Sequence, residues 1–270
     1  MLNIVTCWYI LKSKFNKKLY SKWMSNFLLN NKNFNLIIFT NNESKYMLDD
    51  YVNNNPNIKI IIKPIHKFYN YKYKTKWIKN HSINHSLNKH TNWELNMLWS
   101  EKISFIKDAY DNNYFNNINP WYCWCDIGYF RCRHNDIPPH LIRKWPNMDK
   151  INILDINKIH YANTCNDIKV LLYIKSLVND TNTLGLPKKP IPEYQNTIAG
   201  GFFLIHKDKI NWWHEKYDTL LSSYLTNNYL VKDDQIIIVH NFSLYHKHFK
   251  LYMENNHKYD NWFMFQRILL

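Results

Sequence analysis

The stretch WYCWCDIGYF, residues 121–130, decides how this chain is read. It is the most aromatic run of the sequence, and a single carboxylate, Asp126, interrupts it. Gly128 follows two residues later, in a protein with only four glycines. A carboxylate set among rings is costly without a partner, so Asp126 points to a ligand, a cation or a fixed donor beside it. The structural alternative is a strand ending at a turn, with Asp126 capping that turn. On both readings residues 121–126 form a central buried strand.

Working outward, residues 2–9 are a short, β-branched apolar run that reads as a first strand, and residues 35–40 (NLIIFT) and 57–63 (NIKIIIK) read as the second and third. Between the first two, residues 17–29 place Leu19, Tyr20, Trp23, Phe27 and Leu28 at helical spacing. Strands separated by helical patterns predict parallel β-α-β units of the nucleotide-binding kind. A basic aromatic segment, 68–77, precedes a long helix over about 93–110. Further on, 150–155 (KINILD) and 198–206 read as strands, 181–193 as a Pro- and Gly-bearing loop, and 209–225 as an amphipathic helix. KDDQIIIVH, 232–240, reads as a short helix because its acidic start suits a helix N-terminus. Residues 249–270 show no clear period. With no repeat and no linker, the expectation is one α/β domain over 1–270.

Composition narrows the classes. A hydrophobic fraction of 46% and an aromatic fraction of 17% exclude a disordered chain. A domain of this size buries about 75% of its unfolded-chain surface and needs no staples. The formal charge is +14, from 35 basic and 21 acidic side chains, which favours polyanions, anionic membranes or phosphorylated small molecules as partners. The lysines are dispersed, however, as on a solvated surface, so nucleic acid is not the leading partner. The five cysteines do not suggest a disulfide framework. No run approaches the ~18 apolar residues that span a bilayer. The first residues lack a signal peptide's charged start and cleavage site, so a soluble, cytoplasmic protein is expected.

The remaining glycines and acids fall into two segments. Gly200 and Gly201 form the only adjacent glycine pair, in TIAGGFFLIH, where the backbone must bend or approach something closely. A strand corner or bulge would explain them equally. Asp233, Asp234 and Gln235 begin the KDDQ helix. A strand-end Asp, an AGG strand and a DDQ helix start, behind a β-α-β half, can converge on one cleft at the C-terminal ends of the strands.

In that order, WYCWCDIGYFR, TIAGGFFLIHKDKINWWHEKY and KDDQIII resemble the HtrL/YibB-type group of glycosyltransferases with a GT-A fold. NIVTCWY, LIIFTNN and LWSEKISFIKDAY fit upstream, so the resemblance spans nearly the whole chain. The AGG and DDQ pieces are also similar to segments of glycogenin-like transferases. The resemblance implies a single GT-A domain with a central mixed, mostly parallel sheet flanked by helices, residues 1–126 forming the nucleotide-binding half and 127–270 the acceptor and catalytic half. It implies transfer of a sugar from a nucleotide-diphospho-sugar, in the first instance a UDP-sugar, to a glycan or protein. Mn²⁺ or Mg²⁺ would assist by neutralising the leaving diphosphate. GT-A enzymes usually present a DxD motif for the metal; here Trp124-Cys125-Asp126 keeps only the second acid. Asp126 is therefore the expected metal ligand, with His257 as the second by analogy with a C-terminal His of the glycogenin-like enzymes. Thr6, Tyr9, Thr40, Asn41, Lys102, Asp126, Gly200 and Gly201 are the expected donor-binding residues. Asp233, Asp234 and Gln235 are the expected catalytic ones, with Asp234 as base or as a group that orients the sugar.

Three rivals stay open at this level. Cys123, Cys125, Cys132 and His134 cluster around Asp126, but Cys-x-Cys in an apolar strand turns both thiols to one packed face instead of forming a zinc knuckle. A basic nucleic-acid-binding protein or metal-dependent nuclease is motivated by charge alone. A degenerate, non-catalytic glycan binder is motivated by the incomplete DxD.

Overall fold

A computed structural model describes residues 1–52, 55–116, 118–134, 136–165, 167–254, 256 and 258–270. The described chain forms a single α/β domain around a seven-stranded sheet of order β3-β2-β1-β4-β6-β5-β7. The strands are β1 (Leu2–Trp8), β2 (Phe34–Thr40), β3 (Ile58–Ile62), β4 (Trp121–Cys125), β5 (Ile159–Asn163), β6 (Ile198–His206) and β7 (Phe249–Tyr252). All neighbouring strands run parallel except that β6 is antiparallel to both β4 and β5. The sheet is thus mixed and mostly parallel, as expected.

β1, β2 and β4 are buried along their whole length, which explains why they read as continuous apolar runs without alternation. Alternate residues serve two cores. Val5, Ile37, Phe39, Tyr122 and Trp124 face one, with Phe105 and Ile106 of the helix Lys102–Asn112. Ile4, Leu36, Ile38, Cys123 and Cys125 face the other, with Met24 and Phe27 of the helix Lys17–Leu28. Both thiols of the Cys-x-Cys pair therefore lie in the same packed core, and burial raises both thiol pKa values.

Three local expectations need correction. The KINILD segment is not a strand: the helix Met148–Asn152 takes its first three residues and 153–155 form no strand; the helix is capped by Asn147 Oδ1 accepting from Asp149 N at 2.9 Å, with Ile151 as its buried contact. The long helix over 93–110 is two helices, Trp93–Ser100 and Lys102–Asn112, separated at Glu101. The fully buried Glu101 carboxylate accepts from the backbone N–H groups of Tyr69 (2.5 Å) and Asn70 (3.0 Å), so it ties the break to the 3₁₀ turn Tyr69–Tyr73. β5, β7 and the helix Ile168–Asn179 lie where no element was expected. No described helix is long and apolar enough to cross a membrane.

Candidate active site

The order β3-β2-β1-β4 reverses direction at β1, and in open α/β sheets ligands bind in the crevice beyond the strand ends at such a switch point. β1 ends at Trp8 and β4 at Cys125, one residue before Asp126. β6 runs the other way, so its N-terminal end, carrying Gly200 and Gly201, meets this edge. Asp126 N donates to Gly201 O at 2.8 Å, which extends the β4–β6 ladder into the site.

The centre of the site is the ammonium of Lys102, at the first position of its helix and 6% exposed. Lys102 Nζ donates to Gly200 O at 2.7 Å and lies 2.9 Å from Asp234 Oδ2 and 3.2 Å from Asp126 Oδ1. Three elements distant in sequence are joined by one cation. The two carboxylates hold Lys102 protonated well above the ordinary lysine range, against the opposing effect of burial. Asp234 is pushed up to about 6: burial outweighs its attraction to Lys102, and Asp233 adds repulsion. Lys102 has two carboxylate partners, whereas Asp234 shares its cation with Asp126. We take the ammonium as charged and Asp234 as the group that titrates.

The glycine pair is explained by this packing. A Cβ on Gly200 would lie 2.9 Å from Asp234 Cγ and Oδ1, and closer still to Oδ2. A Cβ on Gly201 would sit 3.3 Å from Asp126 Oδ2, a tight but yielding contact since the Asp126 side chain is 44% exposed. Gly128 leaves room for the Trp23 ring, 2.9 Å from a built Cβ. Asp233 caps the helix Asp234–Tyr245 by accepting from Gln235 N at 3.2 Å, and it pairs with Lys232 at the same distance. Gln235 is buried, and among the described residues its Oε1 has no hydrogen-bond partner.

Two adjoining cavities open here. One, of about 90 Å³, is lined by Trp8, Tyr9, Leu95, Leu98 and Trp124 among others. The other, of about 190 Å³, is lined by Gly200, Gly201, Asp233, Asp234, Gln235 and Trp262 among others. Tyr20, Trp99, Lys102, Asp126 and Arg131 border both, so an aromatic lobe and a polar lobe meet at a charged waist.

The structure thus gathers Lys102, Asp126, Gly200, Gly201, Asp233, Asp234 and Gln235, with Tyr9 on the aromatic side. Tyr9 is packed edge-on against Phe68, and its hydroxyl donates to Lys63 O at 2.7 Å. Thr6, Thr40 and Asn41 do not line either cavity. Thr6 is fully buried in β1; Thr40 Oγ1 donates to Trp8 O at 2.6 Å; Asn41 caps the short helix Asn42–Lys45. His257 lies outside the described residues. Sequence reasoning missed Arg131, Tyr20, Trp99 and Trp262. For Arg131 the only signal was its place at the end of the WYCWCDIGYFR segment.

The GT-A resemblance implies a divalent cation, and the described donors do not by themselves form its site. Asp126 Oδ1 already accepts from Trp124 Nε1 at 2.7 Å and neighbours Lys102, which leaves Oδ2 as a single carboxylate oxygen. Among the described residues no group of three His, Cys, Asp or Glu side chains is placed to hold a metal ion.

No protein-family model and no curated protein matches the chain. Among solved structures, it is similar to mouse xyloside xylosyltransferase 1 in its apo form, at 13% identity and a TM-score of 0.46, over 93% of this chain and 84% of that one. It is also similar to the galactosyltransferase LgtC in complex with donor and acceptor sugar analogues, at 12% identity and a TM-score of 0.44, over 93% of this chain and 73% of that one. At that level of likeness, the chemistry has to be argued from this chain's own residues.

Proposed function

We propose that this protein is a GT-A-type glycosyltransferase that moves a sugar from a nucleotide-diphospho-sugar, in the first instance a UDP-sugar, to a hydroxyl of a glycan or protein acceptor. The observation that carries the reading is the two-lobed cleft at the β1/β4 switch point, with the Lys102–Asp126–Asp234 cluster at its waist. The aromatic lobe suits a nucleoside, whose base has an apolar face and a polar edge. The polar lobe suits a sugar: Gly200 and Gly201 keep its floor at backbone level, and Asp233, Asp234 and Gln235 line it with polar side chains.

In the transfer, the bond between the anomeric carbon and the diphosphate oxygen breaks, and a bond from the acceptor oxygen to that carbon forms. The acceptor's proton must leave. Asp234, buried in the polar lobe with a carboxyl that titrates near 6, can take it as general base or, with retention, orient the sugar. Asp233 fixes the first turn that carries Asp234 and Gln235. Lys102 fixes Asp234 against Asp126 and so holds the acid between the lobes.

The test is thermal unfolding and donor hydrolysis with UDP, GDP and their sugar conjugates, each in EDTA and in Mn²⁺. A ligand at about 100 times its Kd adds roughly 2.7 kcal/mol of stability, a shift of several degrees for a chain of this length. A nucleotide-selective shift lost in Asp126→Ala supports the transferase and names the base; the two metal arms decide its metal dependence. No shift with any nucleotide, together with salt-sensitive oligonucleotide binding, would sink the reading in favour of a polyanion binder.

A further inference from the structure

The cluster at the waist carries one ammonium against two carboxylates, so by formal charge it is net negative and opposes a diphosphate placed there. The compensating group stands beside it. Arg131 is half-buried and borders both lobes. Its guanidinium is stacked by three rings, with the carbon 4.3 Å from the Trp23 centroid, 5.0 Å from Phe263 and 5.3 Å from Phe15. Nε donates to Gly128 O at 3.1 Å, which fixes the plane of the fork. Among the described residues it makes no ion pair.

Arg133, two residues on, is the contrast. It too stacks on Phe263, at 4.1 Å, but it is neutralised by Asp136 (3.2 Å) and Asp260 (2.9 Å). Same residue type, same loop, same ring: among the described residues one guanidinium is ion-paired and the other is not. A partly desolvated cation held rigid without a carboxylate is a costly arrangement unless an anion completes it. Burial lowers the Arg131 pKa by more than the field of Asp126, which lies beyond ion-pair distance, raises it. An arginine fork pre-set by stacking suits bidentate contact with phosphate oxygens better than a lysine does.

We infer that Arg131 is the anchor for the donor's diphosphate, gripping it at the waist between the nucleoside and sugar lobes. This rests on the transferase reading above and names the residue that supplies positive charge from the chain itself. Gly128 thereby has two tasks, giving room to Trp23 and offering the carbonyl that aims the fork.

The test is calorimetric titration in EDTA of UDP, GDP, the two parent nucleosides and inorganic pyrophosphate. The proteins are wild type, Arg131→Met, Arg131→Lys and Arg133→Met. Charge-assisted hydrogen bonds lost from a phosphate predict a roughly 10- to 100-fold weaker affinity of Arg131→Met for the diphosphate ligands. Nucleoside affinity should stay the same, and Arg133→Met should match the wild type. If Arg131→Met does not fold, Arg131→Lys carries the test: it keeps the charge, loses the fork and should bind several-fold more weakly. A wild type that binds nucleoside diphosphate, with Arg131→Met or Arg131→Lys binding it equally well, overturns this inference alone. A wild type that binds neither nucleotide nor pyrophosphate in EDTA overturns this inference, and one that also binds neither in Mn²⁺ overturns the transferase reading with it.

Discussion

Replacing Lys102 with Met tests the centre of the site directly. The side chains are of similar length, so the change removes a charge more than a volume. Asp234 is 5% exposed and, among the described residues, would lose its one ion-pair partner; Asp126, with a side chain 44% exposed, can still turn to water. Breaking one partner from a buried pair costs about 3–5 kcal/mol, mostly the uncompensated charge left behind. For a chain of this length that is a fall in Tm of roughly 6–20 °C. The cost should depend on pH. Asp234 titrates near 6 when folded, above its ordinary value of 3.8, and losing Lys102 moves it further up. A carboxyl with a raised folded pKa binds its proton more tightly in the native state, so its contribution is greatest at low pH and is lost as pH rises through the folded value. Urea unfolding of wild type and Lys102→Met at pH 5 and pH 8 should therefore show a large penalty at pH 8 and a smaller one at pH 5. Adding Asp234→Asn to Lys102→Met should recover stability at pH 8. A penalty below about 1 kcal/mol at pH 8, equal at both pH values and unmoved by the second substitution, would refute the placement of Lys102 as counter-ion to a buried Asp234.

The same geometry sets three other expectations. Gly200→Ala should cost about 1–3 kcal/mol and abolish transfer, because its Cβ meets the ion-paired Asp234, whereas Gly201→Ala should be mild since Asp126 can yield; unfolding midpoints and donor hydrolysis compare the two. Asp234→Asn should lower transfer roughly 10²–10⁴-fold with circular dichroism unchanged, and wild-type turnover should fall below about pH 6 as Asp234 is protonated. Burial pushes Glu101 up to about 7 from 4.5, so its contribution to stability declines as pH rises across that window; Glu101→Gln should flatten this part of the stability–pH curve.

The strands were legible where burial is uniform. β1, β2, β4 and β6 are apolar on both faces, and their sequence runs show it whatever surrounds them. β5 was not legible, since its His160 is buried with partners outside the strand: Asp155 O, five residues back, and the remote Tyr252 OH, each at 2.9 Å, satisfy the ring. KINILD looked like a strand because alternation over a few residues cannot tell a sheet face from one buried helix contact, Ile151. Residue types around Asp126, the glycine pair and the acidic helix start marked most of the cleft.

What the sequence determined by itself was the supply of parts: apolar strands, a strand-end acid, two adjacent glycines and a capped acidic helix. Only the tertiary structure decided how they meet. The antiparallel course of β6 brings Gly200 and Gly201 to the edge where β4 ends, and a break at Glu101 sets Lys102 at the head of a new helix, facing both acids. Likewise Arg133 has Asp136 three residues along the chain, but its second partner, Asp260, comes within reach only through folding. Pairing between segments far apart in the chain depends on distance in space, which the chain order does not record.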